Sequence, residues 1–430
     1  MQSQVIVLGG GVAGISLART LINDHNVTDI LLLEARPELG GRAYTETLVN
    51  NATGAVTTVE KGCNWIQGPG KEPILELADK WGLQTARTNY SDSAWWYDHF
   101  LDEQEQAVFT EGYDNFIEHA PGYSDLSVRV ATSIMDWIPV TPVQKAYEYW
   151  NIDFTFAQPP EDCSFANAFG QEAGIENEVD DFVIDQRGFK YIFVQEAKEL
   201  FGQDLNDPRL HLDTTVRQID YSGDQIVVRT DKGDFSAPHV VSTFSVGVLQ
   251  HQDVQFKPQL PDWKKEAIFT FAMATYQKIF ILFDRKFWND EQAEAMGVLR
   301  KMYDDVPEPL DIVVPRWHAD PLFRGSYSNW PLGVLEEHHA NLGQPVKKGD
   351  AWIHFAGEAT SYEMFGYVNG AWDSGISTAN AIGQCINKGD CPDAKIYDAL
   401  KTCPQESSMR RRDGAPRAPR RHHRGPRGGK

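Results

Sequence analysis

Two periods of apolar spacing run along this chain. Val5–Leu8 is an uninterrupted apolar run, the pattern of a strand buried on both faces, and Ile30–Leu33 repeats it. Between them, residues 15–22 are rich in Ala and Leu and read as a helix. Residues 72–150 look mainly helical and aromatic, with Trp95-Trp96-Tyr97 and a second aromatic run at 146–150, until Pro159-Pro160 breaks the pattern. β structure is expected over 209–245. There 216–221 and 225–230 flank Ser222-Gly223-Asp224 as a hairpin, and Val240-Val241-Ser242-Thr243 is a buried-strand candidate. Residues 275–283 have strand composition, and period two sets Tyr276, Lys278, Phe280 and Leu282 on one face. Residues 353–358 read as a strand ending in Gly357 and Glu358, and 370–387 as a long helix.

Chemistry enters at the first turn. Gly9-Gly10-Gly11-Val12-Ala13-Gly14 is G-x-G-x-x-G directly after a strand, and Glu34 closes the next strand twenty residues past Gly14. Gly9 permits the tight turn. Gly11 lets backbone N–H groups approach a pyrophosphate at a helix N-terminus, and Gly14 lets the helix pack close. Glu34 is placed to accept from ribose hydroxyls. Glu34-Ala35-Arg36 then leads to Gly40-Gly41-Arg42, a second glycine pair with a cation that suits a cofactor longer than NAD. Dinucleotide signals at both ends of the chain imply a cofactor domain built from separate segments, with a second domain between them.

Charge narrows the partners. The 430 residues carry 40 Lys and Arg against 61 Asp and Glu, a net of −21, which disfavours nucleic acid and suits cationic small molecules. From Met409 onward nine basic residues face one acid, so residues 1–408 carry −29 and the tail +8. That tail is expected to be disordered. No apolar stretch is long enough for a membrane span, and no signal peptide is evident. Sequons at Asn26, Asn51 and Asn89 are compatible with secretion, so the compartment stays open. Of the five cysteines, Cys385 and Cys391 are either a local disulfide or free thiols. Glu336-Glu337-His338-His339 reads as adjacent residues on a loop, which do not converge on one ion, so no metal site is expected.

Several further blocks give the chain a family resemblance. They are 62–68 (Gly-Cys-Asn-Trp-Ile-Gln-Gly), 185–188, Tyr276-Gln277-Lys278-Ile279-Phe280, Ser328-Asn329-Trp330, 355–358 and 366–371 (Gly-Tyr-Val-Asn-Gly-Ala). With the glycine turns, they make the chain resemble flavin-containing amine oxidases, most closely the polyamine oxidases of plants and fungi, from Val5 to about Cys403. The resemblance implies an α/β protein: a Rossmann-like FAD-binding domain from 1–85, 205–250 and 330–405, and an α+β substrate domain with an antiparallel sheet from 86–204 and 251–329. Residues 406–430 would be the basic tail. It implies noncovalent FAD, a small amine substrate and O2, with hydrogen peroxide, an aldehyde and a shorter amine as products, in a monomer or weak oligomer. Cofactor contacts are expected at Gly9, Gly11, Gly14, Glu34, Ala35, Arg36, Gly41, Arg42, Asn64, Trp65, Ile66, Val216, Trp317, Gly357, Glu358, Tyr367 and Val368. The chemistry is expected at Lys278, which matches a lysine that holds a water near the flavin N5, and at Tyr367, Tyr327, Gln67 and Trp317.

Three departures qualify that picture. Gln67 and Thr155 stand where the plant enzymes carry glutamates, which weakens charge complementarity toward a polycation. Only nine residues separate Trp288 from Val298, where the family has a longer segment, so strand edges and apolar surface are expected to be exposed. The basic tail does not look like family sequence. Rival readings are an oxidase of a different amine, a non-catalytic FAD-binding homologue, and an NAD-dependent dehydrogenase, against which the 40–42 and 355–358 blocks argue.

Overall fold

The computed structural model describes residues 1–51, 53–89, 101–102, 104, 106, 125–165, 180–285, 306–391 and 393–398. The Trp95-Trp96-Tyr97 cluster, the shortened 288–298 junction and the basic tail lie outside them.

The two apolar runs become neighbouring parallel strands, Val5–Leu8 and Ile30–Leu33, at the centre of a six-stranded sheet. Across it the order is Val346–Lys348, Ala351–Phe355, His239–Ser242, Val5–Leu8, Ile30–Leu33 and Leu210–His211. Only the 346–348 edge strand runs antiparallel. Both faces are dry, as the unbroken apolar runs required. Ile6, Leu8, Leu31 and Leu33 pack into one core, while Val5, Val7, Ile30 and Leu32 pack into another. Leu8 lies in register with both Leu33 and Ser242, and Ser242 with Phe355. Four strands therefore end at one edge, and the residues that follow them emerge together.

Helix Val12–Asn23 packs against helix Val368–Lys388, which contains the long helix expected near the C-terminus. The two backbones come close because position 375 has no side chain. A Cβ on Gly375 would sit 2.0 Å from Ser16 Oγ and 2.4 Å from the Ala13 carbonyl. The Val368–Lys388 helix ends on Gly389 in the left-handed region, and a Cys385–Cys391 disulfide spans that end. This resolves the choice between free thiols and a disulfide.

The expected hairpin forms from Val216–Asp220 and Ile226–Thr230, inside a second sheet of four strands. Two expectations need correction. Burial alternates over residues 275–280 but not over 280–283, and only Phe280–Leu282 is laddered, against Asp311–Val313. Ile279 and Ile312 beside this two-stranded pair are more than half exposed. Glu336 to His339 lie not on a loop but in the first turn of helix Glu336–Gly343, where both histidines are buried. His339 stacks on Trp330. Among the described residues no group of three or more His, Cys, Asp or Glu could hold a metal ion, and no helix is long and apolar enough to cross a membrane.

That helix ends on a buried cation. Lys264 is fully buried, and its ammonium donates to the carbonyls of Asn341, Leu342 and Gln344 at 2.6, 2.8 and 2.6 Å. Burial pushes its pKa well down. The carbonyls that a helix leaves unpaired at its C-terminus supply the compensating negative potential.

Replacing Gly375 by Val should force the two helices apart. We expect a loss of about 1–3 kcal/mol, the usual cost of overpacking, read as a lower denaturant midpoint at unchanged slope.

Candidate active site

The shared strand edge opens into a cavity of about 1060 Å³, at the large end of small-molecule sites. One end is made by the two glycine turns. Gly9 has φ 108°, and a Cβ there would meet Thr243 Oγ1 at 2.4 Å. Gly11 bridges to Gly40, and a Cβ on Gly41 would lie 3.0 Å from the Gly11 Cα. Backbone thus meets backbone along this wall, leaving a surface that a phosphate can approach closely. Glu34 braces it. One carboxylate oxygen accepts from Gly10 N–H at 2.6 Å, the other from Arg36 N–H at 2.9 Å. Burial nonetheless holds its carboxyl above the usual range. Ala35, Arg36 and Val216 line the same end.

Glu358 gathers the middle. Its carboxylate accepts from Arg42 Nη1 at 2.8 Å, Ser328 Oγ at 2.6 Å and Gly366 N–H at 2.8 Å. Burial alone would raise its pKa, but the Arg42 charge and these donors outweigh it and hold the carboxyl low. Arg42 also donates to the Ser326 carbonyl at 3.0 Å. Gly357 lines this stretch, with Trp317 set edge-on to Tyr44 and Phe323.

The far end is aromatic. Trp150 stacks on Phe154 at 4.4 Å, Phe154 meets Tyr276 at 5.2 Å, and Tyr276 meets Tyr327 at 6.1 Å. Trp65, Gln67, Thr155, Tyr367 and Val368 complete the wall with Lys278. Lys278 Nζ donates to the Glu60 carbonyl at 3.1 Å, the Gly62 carbonyl at 2.6 Å and Asn64 Oδ1, and lies 5.8 Å from the Trp65 ring. Burial brings its pKa down to about 8, against the opposing pull of Cys63 and Glu60.

Family membership follows from comparison. A model described as flavin containing amine oxidoreductase matches residues 12–129, 168–295 and 290–383. The chain belongs to the flavin-containing amine oxidoreductases. Polyamine oxidase 1 of Zea mays is 33% identical, over 90% of this chain and 92% of its own length. Polyamine oxidase 6 of Oryza sativa subsp. japonica is 31% identical over the same shares. A solved wild-type putrescine oxidase bound to putrescine shares the fold at a TM-score of 0.67 and 17% identity, covering 89% of this chain and 99% of its own. This amine oxidoreductase is an FAD-dependent enzyme that oxidises amines.

The residues present fit that cofactor. The glycine cradle, the acid after the second strand and a cavity running on to an aromatic end match a dinucleotide that carries a ring system. Every residue expected at the site lines this cavity except Gly14 and Ile66. Gly14 serves packing instead: a Cβ there would sit 2.0 Å from the Gly9 carbonyl. Ile66 is buried in the core, because alternation along strand Trp65–Ile66 turns only Trp65 to the cavity. Sequence reasoning missed Phe154, Phe365 and Asp253, which Arg324 holds in an ion pair. The last two have no motif to reveal them, and Phe154 follows the aromatic run without a recognisable period.

Removing the Arg42 cation by Arg42→Met should leave Glu358 buried and unpaired, at a cost of about 3–5 kcal/mol near neutral pH. In the parent, a depressed carboxyl pKa contributes stability above the unfolded value and loses it as pH falls. In the variant the sign reverses, so denaturant stability should recover on acidification.

Proposed function

We propose that this enzyme oxidises a C–N bond of a polyamine or a related amine bound at the aromatic end of the cavity. The observation that carries this reading is the convergence of Lys278, Trp65, Tyr327 and Tyr367 on one wall of a cavity whose other end is a glycine cradle. The polyamine oxidases of maize and rice, alike along nine-tenths of the chain, support the substrate class. We read 1–85, 205–250 and 330–405 as the cofactor part and 86–204 with 251–329 as the substrate part.

Gly9, Gly11 and Gly41 would let the pyrophosphate approach the backbone, Glu34 would accept from a ribose, and Arg42 would offer positive charge beside Glu358. Val216, Trp65 and Trp317 would bound the ring systems. When bound, FAD accepts the hydride equivalent removed from the C–N unit and passes two electrons and two protons to O2 as hydrogen peroxide. Water then adds to the imine product, giving an aldehyde and a shorter amine. Tyr327 and Tyr367 present ring faces that attract an amine cation, worth about 0.5–2 kcal/mol each. Gln67 can accept a hydrogen bond where a glutamate would add charge, and Thr155 adds none, so a polycation would be held less tightly than in an acid-lined site.

An anaerobic spectrum of the FAD-loaded chain, before and after spermine, spermidine and N-acetylated polyamines, tests this. Bleaching of the oxidised flavin band is expected. A yellow spectrum stable to every amine would overturn the reading in favour of a non-catalytic FAD-binding homologue. Lys278→Met should slow reduction at least about tenfold, a loss near 1.4 kcal/mol of transition-state stabilisation, while flavin stays bound. Gln67→Glu should tighten spermine binding by roughly tenfold, the worth of one charge-assisted hydrogen bond. Unchanged affinity would remove Gln67 from the substrate path.

A further inference from the structure

Lys278 is a cation held without a carboxylate. Its three protons meet three oxygens, two of them backbone carbonyls and the third the amide oxygen of Asn64. A neutral amine has only two N–H groups and would turn a lone pair toward one of these acceptors. Among the described residues no carboxylate lies within ion-pair distance of Nζ. Glu60, whose carbonyl is one of the three acceptors, directs one carboxylate oxygen to Phe189 N–H at 2.5 Å, and its other carboxylate oxygen is buried without a partner. The three acceptors belong to one short stretch, Glu60 to Asn64, that runs directly into Trp65 and Gln67. Its path is rigidly set. A Cβ on Gly62 would sit 1.6 Å from the Arg42 carbonyl, and the Asn64 carbonyl accepts from Val183 N–H at 2.9 Å.

We propose that Asn64 is a positioning residue for the amine-oxidising site: its Oδ1 fixes the Lys278 ammonium under the 60–67 segment and thereby holds Trp65 and Gln67 at the cavity wall. The proposal rests on the reading of this cavity as the oxidising site. Asn64 is the one side chain among the three acceptors, so it is the one that substitution can change. The surrounding charges are few. Glu60 is pushed up to about 7 by burial, against the pull of Lys278 and Lys190. Cys63 is pushed up to about 12 by burial and by Glu60, with Lys278 and Arg42 opposing, so its thiol stays neutral. Burial brings Lys278 itself down to about 8. Above that pH one of the three hydrogen bonds is lost, and the segment carrying Trp65 and Gln67 is released from its peg.

The test titrates Lys278 directly. In the FAD-loaded full chain, competitive acylation with acetic anhydride across pH, read by mass spectrometry of the Lys278 peptide, reports its protonation without turnover. Half-labelling is expected near pH 8 in the parent. It should move up by at least about one pH unit in Asn64→Asp, where a carboxylate faces the ammonium, and down in Asn64→Leu, where an acceptor is lost. Asn64→Asp is isosteric, so it decides the matter should Asn64→Leu fail to fold. The alkaline limb of amine-driven flavin reduction should move in the same two directions, and Asn64→Asp should leave no such displacement in a Lys278→Met background. One labelling midpoint shared by all three proteins would overturn the proposal, as would uniformly slower reduction with an unmoved limb. Should no amine reduce the flavin, the functional reading fails while the labelling still judges Asn64.

Discussion

The parallel register of the central sheet is the constraint on which the site depends. Because Leu8, Leu33, Ser242 and Phe355 end their strands level with one another, the next residues leave the ladder together. Those residues are Gly9, Glu34, Thr243 and the Ala356 to Glu358 turn, and each comes from a different part of the chain. A slip of one residue in any pair would turn that strand's apolar side chains toward the wrong core, so burial on both faces enforces the alignment. The cavity is a consequence of this alignment, since ligand sites of open parallel sheets form where the strands' carboxyl ends face a crevice.

Close backbone approach then shapes the wall. At Gly14, Gly62 and Gly375 a Cβ would fall within about 2 Å of an oxygen atom. These glycines are there for space. They let the first helix sit against its own turn, the 60–67 segment pass under Arg42, and helices Val12–Asn23 and Val368–Lys388 close on one another. Side chains at such points would widen the crevice that the cofactor must fill.

Two charged groups at the site are held by hydrogen bonds to neutral groups and not by opposite ions. Glu34 is fixed by two backbone N–H groups, and Lys278 by two carbonyls and an amide. Glu358 has a direct cation, Arg42, and Asp253 is paired with Arg324. Lys264 repeats the device at a helix end far along the chain. Buried ions satisfied in this way sit near the balance between burial and hydrogen bonding. Burial brings Lys278 down to about 8 and pushes Glu60, one of whose oxygens has no partner, up to about 7.

Much of this was legible in the residues themselves. Unbroken apolar runs specified the buried strands, because a parallel strand covered on both faces has no polar side to show. The spacing Gly9, Gly11, Gly14 and Glu34 specified the cradle, since few other arrangements of a strand and a helix tolerate three glycines there. What tertiary structure alone decided was mutual placement. The ladder at 275–283 shrank to three residues because a strand exists only where a partner lies beside it. His338 and His339 joined a helix whose C-terminal carbonyls are held by a lysine more than seventy residues away in sequence. Asn64 met Lys278 across 214 positions. Local pattern records what each segment must bury; it does not record which distant atom will satisfy a buried charge, and that was decided only when the chain closed on itself.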